Sequence, residues 1–262
     1  MADEPVRYQV VIPARFGATR LPGKPLRLLA GKPMIQHVVE RALASAAEQV
    51  VVATDDERIS ALCRAFGADV AMTKPTHRSG SERITEVIEQ RGWDDETLIV
   101  NLQGDEPGMP ALLLDQVAHA LARTPRVGMA TLACPIHERS ELFDPNIVKV
   151  VTNAQGDALY FSRAPIPWQR DAFADEAQDC PRAHLGLRHI GLYAYRARFL
   201  RRYLTWSPAP LEQAESLEQL RVLWHGERIQ VAIAATEPGP GVDTEADLAR
   251  AEERLMRRAG GG

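Results

Sequence analysis

Short β-branched runs separated by amphipathic segments dominate the first half of this 262-residue chain. Gln9 to Pro13, Gln49 to Thr54, Asp69 to Met72 and Leu98 to Leu102 have the apolar, β-branched character of buried strands. Between them, Met34 to Ser45 puts Met34, Ile35, Val38, Val39, Ala42 and Leu43 on one helical face, and Asp56 to Phe66 does the same with Ile59, Leu62, Cys63 and Phe66. Strands that alternate with helices in this way predict an α/β fold with a mostly parallel central sheet. Further along, Ile147 to Thr152 and Ile190 to Tyr195 read as longer strands, and Met129 to Ala133 and a face made by Leu112, Leu113, Val117 and Leu121 read as core. The proline- and arginine-rich stretch from Arg163 to His184 is too interrupted to be a central strand and reads as an insertion, serving as a lid or a subunit contact. A last helix is expected from Thr244 to Met256. With no linker or repeat, residues 1–262 are expected to form a single domain, with a first half at about 8–135 and a second half at about 136–235.

In parallel sheets ligands bind beyond the carboxyl ends of strands, so polar residues just after each strand are the candidates for chemistry. Four places qualify: the loop after Pro13, the turn Thr54-Asp55-Asp56, the segment from His77 to Arg83, and Gln103-Gly104-Asp105. The first is the richest. Between Pro13 and Met34 it carries Arg15, Arg20, Lys24, Arg27 and Lys32 with Gly17, Gly23 and Gly31, a set of cations and close-approaching amides that suits a triphosphate. A solvated basic turn would have the same composition. The loop is neither a Walker motif nor a GxGxxG fingerprint. The formal net charge of -4 argues against nucleic acid or an anionic membrane as partner, so cationic function has to be concentrated locally. Three cysteines without metal-ligand spacing argue against a disulfide framework or a zinc site, and no apolar run approaches the roughly 20 residues that span a bilayer, which points to the cytoplasm.

The string PARFGATRLPGKPL resembles the signature loop of sugar nucleotidyltransferases, in the form used by the cytidylyltransferases of acidic sugars, the group that activates 3-deoxy-manno-octulosonate (Kdo) and sialic acid. Further blocks are similar to the Kdo branch of that family: MTKPTHRSGSERI, LIVNLQGDEPGMP, NIVKVVTNAQGDALYFSRAPIPW, RHIGLYAYR, PLEQAESLEQLRVLW and PGPGVDTEADL, spread from about Tyr8 to Leu255. The resemblance implies a Rossmann-like three-layer nucleotidyltransferase fold and a reaction in which CTP and Kdo give CMP-Kdo and pyrophosphate with Mg2+, for lipopolysaccharide synthesis. It also implies a homodimer, with sugar binding and dimerisation in the second half. A cytidylyltransferase for sialic acid or an amino-substituted Kdo, and a non-catalytic nucleotide-sugar binder, are the alternatives.

Attack on the α-phosphorus of CTP builds negative charge, so the chemistry asks mainly for positioning and cations, here Arg15 and Lys24, with Pro13 and Ala14 as loop contacts. Asp105 and Asp243 are hard oxygen donors, and the family pattern makes both metal ligands; as plain sequence, Asp105 would also serve as a strand-end turn and Asp243 as the N-cap of the last helix. Arg78, Ser79, Gly80, Ser81 and Arg83 offer hydroxyls, amides and guanidinium groups to a base or ribose, or simply start a helix, and Thr54 and Asp55 are expected on the same nucleotide surface. By match to the family, Gln103, Arg163, His189, Tyr193 and Glu218 contact the sugar, with Arg163 facing its carboxylate. His189 and Tyr193, four apart, share a face of a strand. No general base is assigned.

Overall fold

The computed structural model describes residues 5–17, 21–170, 173, 186–239 and 241–259. Strand β1 (Gln9–Ala14) leads through a short 3-10 turn (Lys24–Leu26) and a small hairpin of β2 (Leu28–Leu29) and β3 (Lys32–Pro33) into helix α1 (Met34–Leu43). Then come β4 (Gln49–Thr54), α2 (Glu57–Ala65), β5 (Asp69–Met72), α3 (Gly80–Arg91), β6 (Leu98–Asn101), α4 (Ala111–Ala122) and β7 (Met129–Pro135). The remainder comprises α5 (Arg139–Phe143), β8 (Lys149–Thr152), β9 (Ala158–Ser162), β10 (Leu187–Arg196), α6 (Ala197–Tyr203), α7 (Pro210–Glu215), α8 (Gln219–Trp224), β11 (Ile229–Ile233) and α9 (Glu245–Ala259).

Nine strands form one twisted sheet in the order β11-β7-β10-β6-β1-β4-β5, with β8 and β9 branching from β10. The path is parallel except for β10, which runs antiparallel to both β6 and β7. The expected α/β architecture with a mostly parallel sheet is what forms. Helices α1, α2 and α4 cover one face, packed on Val10, Ile12, Val52 and Val100, and α3, α6 and α8 cover the other, packed on Val11, Val51, Ala53 and Ile99. Strands run buried on both faces because helices lie on both, which is why their sequences are nearly continuous apolar runs.

Strand order reverses at β1: the chain first moves outward through β4 and β5, then crosses by α3 to place β6 on the other side. The crevice beyond the carboxyl ends of β1 and β6 is therefore where an open α/β sheet accepts a ligand.

Most differences from expectation lie at element ends. The strand expected over Ile147 to Thr152 begins at Lys149, because Asp144 to Val148 is a turn that Lys149 itself ties down. On α4 the buried pair is Leu113 and Leu114, with Leu112 at 56% exposure, so the core face includes Leu114 and Ala118 in place of Leu112. Of the insertion expected over Arg163 to His184, residues 171–172 and 174–184 lie outside the described residues, as do Arg20 and Cys180. Cys63 and Cys134 are buried free thiols, and burial pushes the Cys63 thiol up to about 11.

Candidate active site

The loop after β1 turns on Gly23, whose left-handed backbone (φ 65°) lets its amide reach back to the Phe16 carbonyl at 3.3 Å. This places Lys24 at the start of the 3-10 turn with its stem buried. Two further contacts pin the loop to the end of the chain: Arg27 donates bidentately to Glu245 (2.6 and 2.8 Å), and the Ala30 amide donates to Glu252 (3.0 Å). Pro13 and Ala14 close the β1 end of the site, and Gly104 is required beside them because a Cβ there would lie 3.0 Å from the Pro13 carbonyl oxygen.

Asp105 follows β6 and Asp243 precedes α9, yet the Nζ of Lys24 donates to Asp105 Oδ2 at 2.7 Å and to Asp243 Oδ1 at 2.8 Å. The two loops are joined by the Val242 amide, which donates to the Asp105 carbonyl at 2.9 Å. The N-cap expectation for Asp243 is corrected by its neighbour: Thr244 Oγ1 accepts from the Asp247 amide, and the Asp247 carboxylate accepts from the amides of Asp243 and Thr244. Thr244 thus caps α9 in a reciprocal box, and the Asp243 side chain is turned to Lys24 instead. Next door, burial and the charge of Asp105 push the Glu106 carboxyl up to about 8.

Three adjoining cavities open over this crevice. One of about 480 Å³ is lined by Arg15, Lys24, Gln103, Asp105 and Asp243, together with Pro13 and Ala14. A second, of about 260 Å³, is walled by Tyr193, Tyr195, Tyr203 and Glu218, and a third of about 80 Å³ lies under Ser79, Gly80, His77 and Arg83. Arg15 and Gln103 line all three. A surface carrying Arg15 and Lys24 and a surface of tyrosine, serine and carboxylate groups therefore meet at these two side chains.

At the α3 entrance Ser79 is the N-cap, its Oγ accepting from the Glu82 amide at 3.2 Å, and Gly80 and Ser81 present the first turn to the cavities. Arg83 is buried at 3% exposure, held by Asp55 (3.2 Å) and by the Thr73 hydroxyl. Among the described residues, Thr54, Asp55 and Arg78 do not line the cavities. Thr54 is fully buried and accepts from the Asp56 amide, Asp55 anchors Arg83, and Arg78 is exposed with its amide bound to Glu82.

On the sugar-side set the structure divides the expected residues. Gln103, Tyr193 and Glu218 face the 260 Å³ cavity, where Ser81 Oγ donates to Glu218 Oε2 at 3.4 Å. Burial, reinforced by Glu212, raises the Glu218 carboxyl above its ordinary range. His189 and Tyr193 do share a face, their rings 5.3 Å apart, although β10 bulges between Ile190 and Tyr193. The bulge inserts two residues, which preserves alternation, and Thr131 fills it by donating to the Ile190 and Leu192 carbonyls. His189 sits behind Tyr193, between Phe161 and Thr131, and desolvation drives its imidazole down to about 3, so it is neutral. Arg163 stands apart from the cavities: its guanidinium donates to the carbonyls of Glu215 (2.7 Å) and Pro145 (2.9 Å), closing the loop that precedes β8.

Sequence reasoning missed Asn101, Tyr195, Tyr203, Ser216 and Gln219, which also line the 260 Å³ cavity. Asn101 had a readable signal, as the lone polar residue of β6, and its Oδ1 is buried without a partner. Tyr203 and Ser216 had none, being brought in by helix packing.

A family model described as cytidylyltransferase matches residues 9–229. Among solved structures, a CMP:2-keto-3-deoxy-manno-octonic acid synthetase complexed with CTP is 42% identical, superposes with a TM-score of 0.86, and matches 96% of this chain and 99% of its own. A cytidylyltransferase from Leptospira borgpetersenii serovar Hardjo-bovis (strain JB197), 14% identical with a TM-score of 0.58 over 97% of this chain and 95% of its own, shares the fold.

Proposed function

The chain belongs to the cytidylyltransferase family, and we propose that it transfers CMP from CTP to Kdo, releasing pyrophosphate. The observation that carries this reading is the convergence of a cation-lined cavity and a tyrosine- and carboxylate-lined cavity on Arg15 and Gln103. The relative solved with CTP supports the nucleotide, and its name supports the sugar acid.

In this reaction a sugar hydroxyl oxygen forms a bond to the α-phosphorus of CTP as the bond to pyrophosphate breaks. The exposed guanidinium of Arg15 and the ammonium of Lys24 balance charge on the transferring and departing phosphates. The first turn of α3, with Ser79, Gly80 and Ser81, offers amides and hydroxyls to the nucleoside, and Arg83 stays fixed by Asp55 as a directional donor. Gln103, Tyr193 and Glu218 read sugar hydroxyls, and His189 holds Tyr193 in place from behind. Arg163, whose guanidinium is bound to the Glu215 and Pro145 carbonyls, supports the loop before β8 and is not assigned to the sugar carboxylate.

Asp105 and Asp243, two hard oxygen donors drawn to one ammonium, fit Mg2+. When bound there, the ion supplies charge neutralisation for phosphate oxygens and lowers the pKa of the attacking hydroxyl. A place in the cytoplasm, a role in lipopolysaccharide synthesis and a homodimer belong to the same proposal; among the described residues no helix is long and apolar enough to cross a membrane.

Pyrophosphate release measured with CTP and Kdo, against sialic acid, amino-substituted Kdo and the other nucleoside triphosphates, tests the reading. The expected outcome is turnover only with CTP and greatest with Kdo. Preference for sialic acid would reassign the sugar.

A further inference from the structure

Lys24 is surrounded by more negative charge than its role toward phosphates requires. Its Nζ lies 2.7 Å from Asp105 and 2.8 Å from Asp243, the same two carboxylates that the proposed function gives to the metal. The backbone carrying both acids is fixed by contacts other than those of Lys24. The Val242 amide fixes the Asp105 carbonyl, the Asp247 carboxylate fixes the backbone of Asp243 and Thr244, and Gly241 brings the turn so close that a Cβ there would lie 2.8 Å from a Glu106 oxygen. The loop carrying Lys24 is likewise pinned to α9 through Arg27 and Glu245. Two rigid arms thus hold an ammonium between two carboxylates inside the 480 Å³ cavity.

We propose that Lys24 is a cationic placeholder between Asp105 and Asp243, drawn off them by the phosphates of an incoming nucleoside triphosphate. This rests on the assignment of the two aspartates as metal ligands. The physical reason is competition at short range. A divalent cation arriving alone has to displace a hydrogen-bonded ammonium, and a triphosphate arriving alone has to approach two carboxylates. Each arrival removes the obstacle to the other, because the phosphates take the ammonium and the vacated carboxylates take the cation. Nucleotide and metal binding are therefore positively coupled through one side chain, and by linkage the coupling is reciprocal.

The test reads metal alone. Mn2+ is titrated into nucleotide-free protein and followed by electron paramagnetic resonance for the wild type, Lys24→Met, Lys24→Arg and the double variant Lys24→Met/Asp105→Asn. Lys24→Met is expected to bind Mn2+ about tenfold tighter than the wild type, equivalent to about 1.4 kcal/mol. Lys24→Arg is expected to resemble the wild type, and the double variant to lose the gain. Affinity in Lys24→Met no greater than wild type, or a gain that survives in the double variant, overturns the proposal. Thermal unfolding monitors folding, and Lys24→Gln takes the place of Lys24→Met if the latter has no cooperative transition. Pyrophosphate release by the wild type reports separately on the function, so a protein inactive toward CTP and Kdo that still tightens on Mn2+ overturns the function and leaves the placeholder standing.

Discussion

At Asp105 the side chain and the backbone do different things: the carboxylate accepts from Lys24 while the carbonyl accepts from the Val242 amide. Asp105→Asn removes charge without removing the scaffold. CTP binding should stay measurable in that variant while turnover falls about 10² to 10³-fold, the scale of one lost transition-state stabiliser, as read by equilibrium binding and steady-state kinetics. His189 carries a pH signature. Its folded pKa lies at about 3, below the ordinary value of 6.5, so between those values the unfolded chain binds more protons and acid costs stability. The His189 contribution should rise with pH up to about 6.5 and then level, while the raised Glu106 carboxyl contributes in the opposite sense between about 4.5 and 8. His189→Gln should remove about 2 kcal/mol of the difference between pH 4 and pH 7 in urea titrations, less than the full shift because water reaches the half-buried ring. The cations Arg15 and Lys24 were legible because a polar loop after a parallel strand has few other reasons to collect them. Asp243 was ambiguous because an aspartate before a helix looks alike as cap or ligand, and only the position of the Thr244 hydroxyl shows that it is not the cap.

Helix α9 depends on that hydroxyl, and Thr244→Ala should cost about 1 kcal/mol in denaturant unfolding. A larger loss is expected where α6 meets the start of β7. An added Cβ at Gly128 would sit 2.3 Å from the Phe199 ring, so Gly128→Ala should cost about 1–3 kcal/mol by overpacking, visible as a lower thermal midpoint. Strands β4 and β5 were readable to the residue, and in β4 the apolar run from Val50 to Ala53 follows from helices packed on both faces. Helix α4 was read with Leu112 inward because its first turn is apolar all round, and only packing selects Leu114. The start of β8 was obscured by Lys149, a lysine with no exposure whose ammonium donates to the Asp144, Ile147 and Arg163 carbonyls. A buried lysine in a strand is invisible to hydropathy patterns, and so is the reason Arg163 stays with the loop before β8 and away from the cavities.

Across the whole molecule the second half of the chain does not form a sheet of its own. Strand β10 enters between β6 and β7, and β11 extends the far edge, so Tyr193 and Glu218 arrive on elements of the second half threaded through or packed on the sheet of the first. This explains why local patterns named the loop after β1 while Tyr203 escaped them: it joins Tyr193 and Tyr195, neighbours on β10, through helix packing, which a short window does not contain. If the chain forms the proposed homodimer, sedimentation should give the mass of two chains. The shared borders of the cavities at Arg15 and Gln103 also bear on inhibition. Two compartments with a common wall treat a single molecule that occupies both as a tethered pair: once one end is seated, the other samples its compartment at an effective concentration set by the tether. A short, hydrolysis-resistant link between a cytidine phosphonate and a sugar acid should therefore bind about 10² to 10⁴-fold more tightly than either fragment alone.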